Sequence, residues 1–399
     1  MTTGQLSILH SGVNQSGVRA HNERLLLSTL HRHGALPGSA IARQTGLSPQ
    51  TVSVILRKLE ADGLVCRGER MRGKVGKPSV PMALCPDGVL SYGLKIGRRS
   101  ADLVLMDLSG SVRRHMSIQY PYPVPDQVTA FLRDAFARIS ADLTPQEQAR
   151  ICGIGVARPF ELWRWHEIVG APQEALNVWK RVEIPALLAD LTDLPVFELN
   201  DATAACRAEH MFGSGKRFGD YAYFFLGAFI GGGVVLNHDV FEGNRGNAGA
   251  MGPMLVAGDG GRKRQLLEVA SFHVLEQELA AAGLDPAQLW RQPQDWSGIA
   301  PQVDRWADRT IQALAHAGLS VCAVIDFEAI VIDGAMPATL RRRLVDGVRA
   351  ALSRLDARGL IVPQVAEGSI GADARAIGAA CAPIIAQFLL NAHFGFAEA

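Results

Sequence analysis

The sequence predicts an α/β protein in two parts: a small three-helix head closed by a basic, glycine-punctuated loop, and a larger domain in which strands alternate with helices about a cleft. Three observations carry this expectation. Positive charge is concentrated at the N-terminal end, a capped helical pattern occupies residues 21–59, and apolar strands alternate with amphipathic helical stretches from Tyr92 onward. At 399 residues the chain is too long for one ordinary core, so more than one domain is expected.

Composition narrows the classes. With 48% apolar and 20% charged residues the chain has ample material for packed cores and is not a disordered protein. The net charge of +1 hides an asymmetry: residues 1–90 hold 11 Lys and Arg against 5 Asp and Glu, whereas the remainder holds 29 against 34. A basic head on an acidic bulk fits a protein that grips a polyanion with one end only, and double-stranded DNA is the partner this predicts. The start, MTTGQLSILHSG, lacks the basic-then-apolar layout of a leader, and no run of about eighteen apolar residues is present, so a cytoplasmic protein without membrane association is expected. The six cysteines lie far apart with no Cys-x-x-Cys pair, which predicts reduced thiols, no disulfide framework and no metal site. No cofactor is expected.

In the head, HNERLLLSTLHRH (21–33) reads as a helix ended by Gly34, and residues 39–44 as a second, short one. A turn at Thr45-Gly46-Leu47 leads to Ser48-Pro49, where the serine is an N-cap and the proline occupies the first helical position, at which its missing N–H costs nothing. Val52, Ile55, Leu56 and Leu59 recur at helical spacing and should face the core. The outward residues are then short and polar. Ser48, Gln50, Thr51, Ser53 and Arg57 suit a helix lying in the major groove, where Gln and Arg make bidentate contacts to base edges. The following RGERMRGKVGKPS reads as a two-stranded wing carrying Arg70, Arg72, Lys74 and Lys77 toward phosphates or the minor groove. Together these features describe a winged helix-turn-helix over residues 1–85; the other reading is a three-helix packing module with a solvated basic loop.

Cys85-Pro86-Asp87-Gly88 reads as a linker. Beyond it an apolar run from Tyr92 to Met106, interrupted at Gly97–Ser100, opens a sheet like a hairpin. Further strands are expected at 151–157, 195–199, 221–228, 233–236 and 329–332, with helices over 126–140, 202–211, 304–325 and 338–355.

The runs LNDATAACRAEHMFG (from Leu199), LGAFIGGGVVLN (from Leu226), EGNRGNAGAMGP (from Glu242), LLEVAS (from Leu266) and IGADARAIGAA (from Ile370) resemble, in order, the motifs of the ROK family of sugar kinases and repressors. The resemblance covers essentially the whole chain, since the family's repressors carry a winged helix-turn-helix ahead of a two-lobed, actin-like and hexokinase-like domain. It implies a sensor over 89–399, with one lobe at about 89–200 plus a C-terminal helix at about 380–396, and the other at about 201–379. It also implies that Asn200 and Asp201 match an asparagine that contacts a sugar hydroxyl and an aspartate that acts as general base, and that Glu268 closes the sugar site. Asn247 is expected in the same pocket. Capping for Asp201 and a solvated first-turn position for Glu268 are the plainer alternatives.

The sequence departs from the kinase pattern where phosphate would be handled. The kinases open with an Asp-x-Gly-Gly-Thr loop, but this chain has Lys95-Ile96-Gly97-Arg98-Arg99. A lysine in the aspartate's place repels magnesium, and two arginines obstruct close backbone approach to phosphate. Phe229 stands where a glycine is expected, Ala250 where the sugar-binding glutamate stands, and Pro253 where zinc-binding members have histidine, so zinc is not predicted. Arg158, in GVARPF, is either a replacement polar contact in the pocket or a surface residue.

These observations predict a repressor of carbohydrate-metabolism genes, controlled by a sugar or sugar-derivative effector in a catalytically degenerate domain, with Asp201 a vestigial base and no kinase activity. A homodimer or homotetramer is expected from half-site logic and the family. The alternatives are a sugar kinase that also binds DNA, and a repressor with a vestigial cleft.

Overall fold

The computed structural model describes residues 15–68, 80–257, 262–291 and 293–390. They divide into two compact units, one holding the residues up to Gly88 together with those from Ile385, the other Val89–Ile384.

In the first unit, α1 (Gln15–His33) buries Leu26, Leu27 and Leu30 along one face and starts six residues earlier than the sequence suggested. The two-residue strand β1 (Leu36–Pro37) leads to α2 (Gly38–Thr45). Gly46 then takes φ 72°, a left-handed conformation costly for any residue with a Cβ, and its N–H closes on the Ala42 carbonyl. That single residue turns the chain into α3 (Pro49–Ala61), which buries Val52, Ile55, Leu56 and Leu59 as the spacing predicted. β2 (Val65–Arg67) and β3 (Pro81–Leu84) pair antiparallel, Val65 opposite Leu84, and β3 also pairs with β1. Residues 69–79, which contain Arg70, Arg72, Lys74 and Lys77, lie outside the described residues. The Leu390 amide donates to Ser28 Oγ at 2.9 Å.

The second unit is built on two five-stranded sheets. β4 (Leu90–Ile96), β5 (Ser100–Asp107) and β6 (Val112–Gln119) form an antiparallel meander. After α4 (Pro125–Ala141) and the short α5 (Pro145–Gln148), β7 (Ile151–Arg158) joins β4 in parallel. Three short helices follow, α6 (His166–Val169), α7 (Gln173–Asn177) and α8 (Ile184–Ala189), and β8 (Val196–Asn200) completes the order β6-β5-β4-β7-β8.

Helix α9 (Asp201–Phe212) precedes the second sheet. That sheet holds β9 (Tyr221–Leu226), β10 (Gly231–Leu236) and β11 (Asp239–Phe241), and a small ribbon of β12 (Leu255–Ala257) and β13 (Lys263–Gln265) follows. Next come α10 (Leu267–Ala270), α11 (Phe272–Ala281), α12 (Ala300–Val324), β14 (Ala329–Gly334), α13 (Ala338–Leu352) and β15 (Gln364–Glu367), giving the order β11-β10-β9-β14-β15. Each sheet has its own apolar core, one around Leu94, Leu103 and Leu132, the other around Phe224, Phe272 and Trp306.

The C-terminal helix corrects an expectation. It runs Ala374–Phe388 as α14, not from about 380, and its tail from Ile385 groups with the first unit. Its small residues explain the earlier start: a Cβ at Gly155 of β7 would collide with the Ala379 carbonyl, and one at Gly378 with the Ala204 carbonyl of α9. Backbone approaches of that kind need glycine on one side and alanine on the other.

Candidate functional site

In the first unit, α3 is positioned by its cap. Ser48 Oγ accepts the Thr51 amide at 3.1 Å and shares a 2.8 Å hydrogen bond with Thr51 Oγ, so both hydroxyls hold the helix start. Gln50, Ser53 and Arg57 are exposed on the face opposite the core, and Arg57 Nε donates to the Ser53 carbonyl at 3.3 Å. On the flanking strand Arg67 is paired with Glu60 at 2.7 Å. An exposed helix bearing short polar residues and one arginine is a surface that fits a major groove.

The second unit holds a cavity of about 880 Å³. It gathers Asn200, Asp201, Asn247 and Glu268 from three separate stretches of sequence, together with Ala250 and Pro253. Asn200 ends β8 and caps α9: its Oδ1 accepts the Ala202 and Thr203 amides at 2.9 and 3.2 Å. The cap is therefore Asn200, and Asp201 begins the helix buried, its Oδ2 3.6 Å from the Arg375 guanidinium. Glu268 is more exposed and accepts the Gln265 amide at 2.9 Å. Arg158 is turned aside. It pairs with Glu198 on the neighbouring strand at 2.9 Å and lines neither this cavity nor the one beside it.

The loop that carries the departures from the kinase pattern sits between this cavity and a second of about 760 Å³. Lys95 is buried, with Nζ 2.6 Å from Asp102 Oδ2 and 2.5 Å from Ser100 Oγ. Burial pulls its pKa down while Asp102 opposes that. Burial pushes the Asp102 carboxyl up, but Lys95 and His115 outweigh it and hold the group well below the usual carboxylate range. The lysine thus stands neutralised where the sequence suggested a bare positive charge facing a metal.

Arg98 stacks its guanidinium 4.0 Å from the Trp165 ring centroid and 4.7 Å from that of Phe229. Burial lowers its pKa to about 10, with Asp201 acting the other way. Phe229 does more than narrow a loop, because its ring also packs on Trp165 at 5.0 Å and His273 at 5.3 Å. Arg99 folds back to donate to the Pro121 carbonyl at 2.6 Å.

Sequence reasoning missed two members of the site. Arg375, in the run from Ile370, lines both cavities, and Trp165 lies in a stretch with no regular periodicity. The arginine's place in a recognisable motif was the available signal; the tryptophan had none.

A helix-turn-helix head and a two-sheet unit with a polar cavity beside a glycine-rich loop define a sugar-kinase-like fold joined to a DNA-binding module. Residues 91–383 match the ROK family and residues 19–65 a winged helix-turn-helix DNA-binding domain, and the chain belongs to the ROK family. It is 24% identical over 247 residues to the xylose repressor of Bacillus spizizenii, spanning 61% of this chain and 62% of that protein. It is 32% identical over 250 residues to the bifunctional enzyme NanE/NanK of Brucella melitensis, spanning 62% of this chain and 45% of the enzyme. The crystal structure of a ROK family transcriptional regulator, a homolog of the E. coli MLC protein, shares the fold with a TM-score of 0.63 at 19% identity, over 92% of this chain and 96% of that one. Among the described residues no helix is long and apolar enough to cross a membrane, and no cluster of three His, Cys, Asp or Glu is arranged to hold a metal ion.

Proposed function

We propose that this chain is a DNA-binding transcription regulator, a repressor of carbohydrate-metabolism genes, whose cleft binds a sugar or sugar derivative and transfers no phosphate. The observation that carries the proposal is the joining in one chain of a capped helix with an exposed polar face to a unit in which Asn200, Asp201, Asn247 and Glu268 meet around one cavity. Asp201 and Glu268 supply acceptors for sugar hydroxyls, and the Asn200 amide nitrogen a donor, since its oxygen is taken by the helix cap. The xylose repressor of B. spizizenii and the ROK regulator structure support the regulatory reading.

Against transfer stands the phosphate loop. Magnesium-bound ATP needs a carboxylate and open backbone amides there; here Lys95 is bound to Asp102, and Arg98 packs against the paired rings of Trp165 and Phe229. Asp201 favours a second reading, a sugar kinase, because it lines the cavity in the place of the family's general base, and the NanE/NanK relative is an enzyme. Regulation follows if the effector binds one arrangement of the sensor more tightly than another and a dimer conveys the difference to paired DNA heads. Band shifts with the chain's own upstream DNA, with and without a sugar panel, test it: a sugar that changes the midpoint supports effector control, and DNA binding indifferent to every sugar contradicts it.

A further inference from the structure

Resting on the reading of the cleft as an effector site, we infer that the effector is an anionic monosaccharide derivative whose single carboxylate or phosphate is held by Arg98 and Arg375. Both arginines line both cavities and so mark the junction between them. The Arg98 guanidinium packs on one side against the paired rings of Trp165 and Phe229, 4.0 and 4.7 Å from their centroids, which are themselves 5.0 Å apart. A guanidinium packed against aromatic rings on one side keeps N–H groups for a carboxylate or phosphate, which it can grip as a fork. Arg375 is braced similarly, 5.1 Å from the Phe225 ring. In both arginines Nε is buried with no hydrogen-bond partner among the described residues.

Taken pair by pair, Arg98 is the arginine at the cleft left without a carboxylate partner among the described residues. Lys95 is matched by Asp102, Arg99 by Glu276, Arg164 by Glu161, Arg264 by Glu268 and Arg375 by Asp201. Arg98 has no carboxylate within ion-pair distance among the described residues. Of the remaining acids at the cleft, Glu167 has a side chain 88% exposed and Asp373 bears on His115. Leaving a desolvated guanidinium unmatched is costly, and a neutral polyol cannot repay it. An acidic sugar does so at one end, while Asp201, Asn247 and Glu268 accept or donate to its hydroxyls at the other.

The test is titration calorimetry on the full chain with glucose, glucuronate, glucose 6-phosphate, inorganic phosphate and ATP, repeated with R98M. Glucuronate or glucose 6-phosphate is expected to bind about ten- to a hundredfold more tightly than glucose, a preference that R98M abolishes. The stronger of the two acids identifies the anionic group. R98K, which keeps the charge but not the fork, gives the same readout where R98M unfolds. Glucose binding as tightly as both acids, an acid preference that survives R98M and R98K, or inorganic phosphate or ATP binding better than either acid overturns the inference while leaving the effector reading intact. Failure of every sugar, charged or neutral, to bind overturns both.

Discussion

Lys95 and Asp102 face each other across the register of β4 and β5 and meet in a 2.6 Å ion pair, with side chains only 8% and 18% exposed. The lysine that stands where the resemblance places the kinases' aspartate is thus matched by a carboxylate on the adjacent strand. Lys95→Met leaves that carboxylate partly desolvated and is expected to cost about 3 kcal/mol in urea unfolding. The double variant Lys95→Met, Asp102→Leu should recover at least half of the loss, because an apolar pair of similar volume carries no stranded charge.

His115 is a further partner of Asp102, beside Lys95 and Ser100, with Nε2 3.4 Å from Oδ1, and this hydrogen bond raises its pKa above the ~6.5 of an unfolded chain. A raised value in the folded state means that protonated His115 stabilises the fold fully below ~6.5, and that the gain disappears as pH rises through the folded value. The melting-temperature gap between the parent protein and His115→Gln should be widest below pH ~6.5 and narrow as pH rises above it. A gap that widens with pH would reverse the assignment.

Gly46 and Ser48 set the angle at which α3 is presented. Gly46→Ala forces a Cβ into φ 72° and should cost about 1 kcal/mol. Ser48→Ala removes the acceptor for the Thr51 amide and should cost about as much. Denaturant midpoints check both.

On the DNA face, Gln50→Ala or Arg57→Ala should relax sequence preference, whereas Lys74→Ala should weaken all duplexes alike and lower the salt slope by about 1. Band shifts at two salt concentrations separate these effects; a Lys74→Ala loss confined to one duplex would refute the division.

Much of the architecture was legible because it rests on local chemistry. The Ser48-Pro49 start and the burial of Val52, Ile55, Leu56 and Leu59 follow from capping and periodicity. β6 was not legible: VRRHMSIQ is largely exposed, so it lacks the apolar alternation that marks a half-buried strand. Among the site residues, Asn200, Asp201, Asn247 and Glu268 line one cavity, while Arg158 answers to Glu198, a cross-strand neighbour that no linear pattern reveals. The aromatic packing of Arg98 was hidden for the same reason, since Trp165 and Phe229 come from separate segments.

The central claim is that the cleft binds a small sugar-like ligand without moving phosphate. Thermal unfolding over a panel of neutral and acidic sugars, read together with ADP release from magnesium-ATP in the same samples, tests it most directly. The account predicts at least one sugar that raises the melting temperature while ADP stays at background, with the rise reduced in Asp201→Asn. Sugar-dependent ADP release that Asp201→Asn abolishes would contradict it.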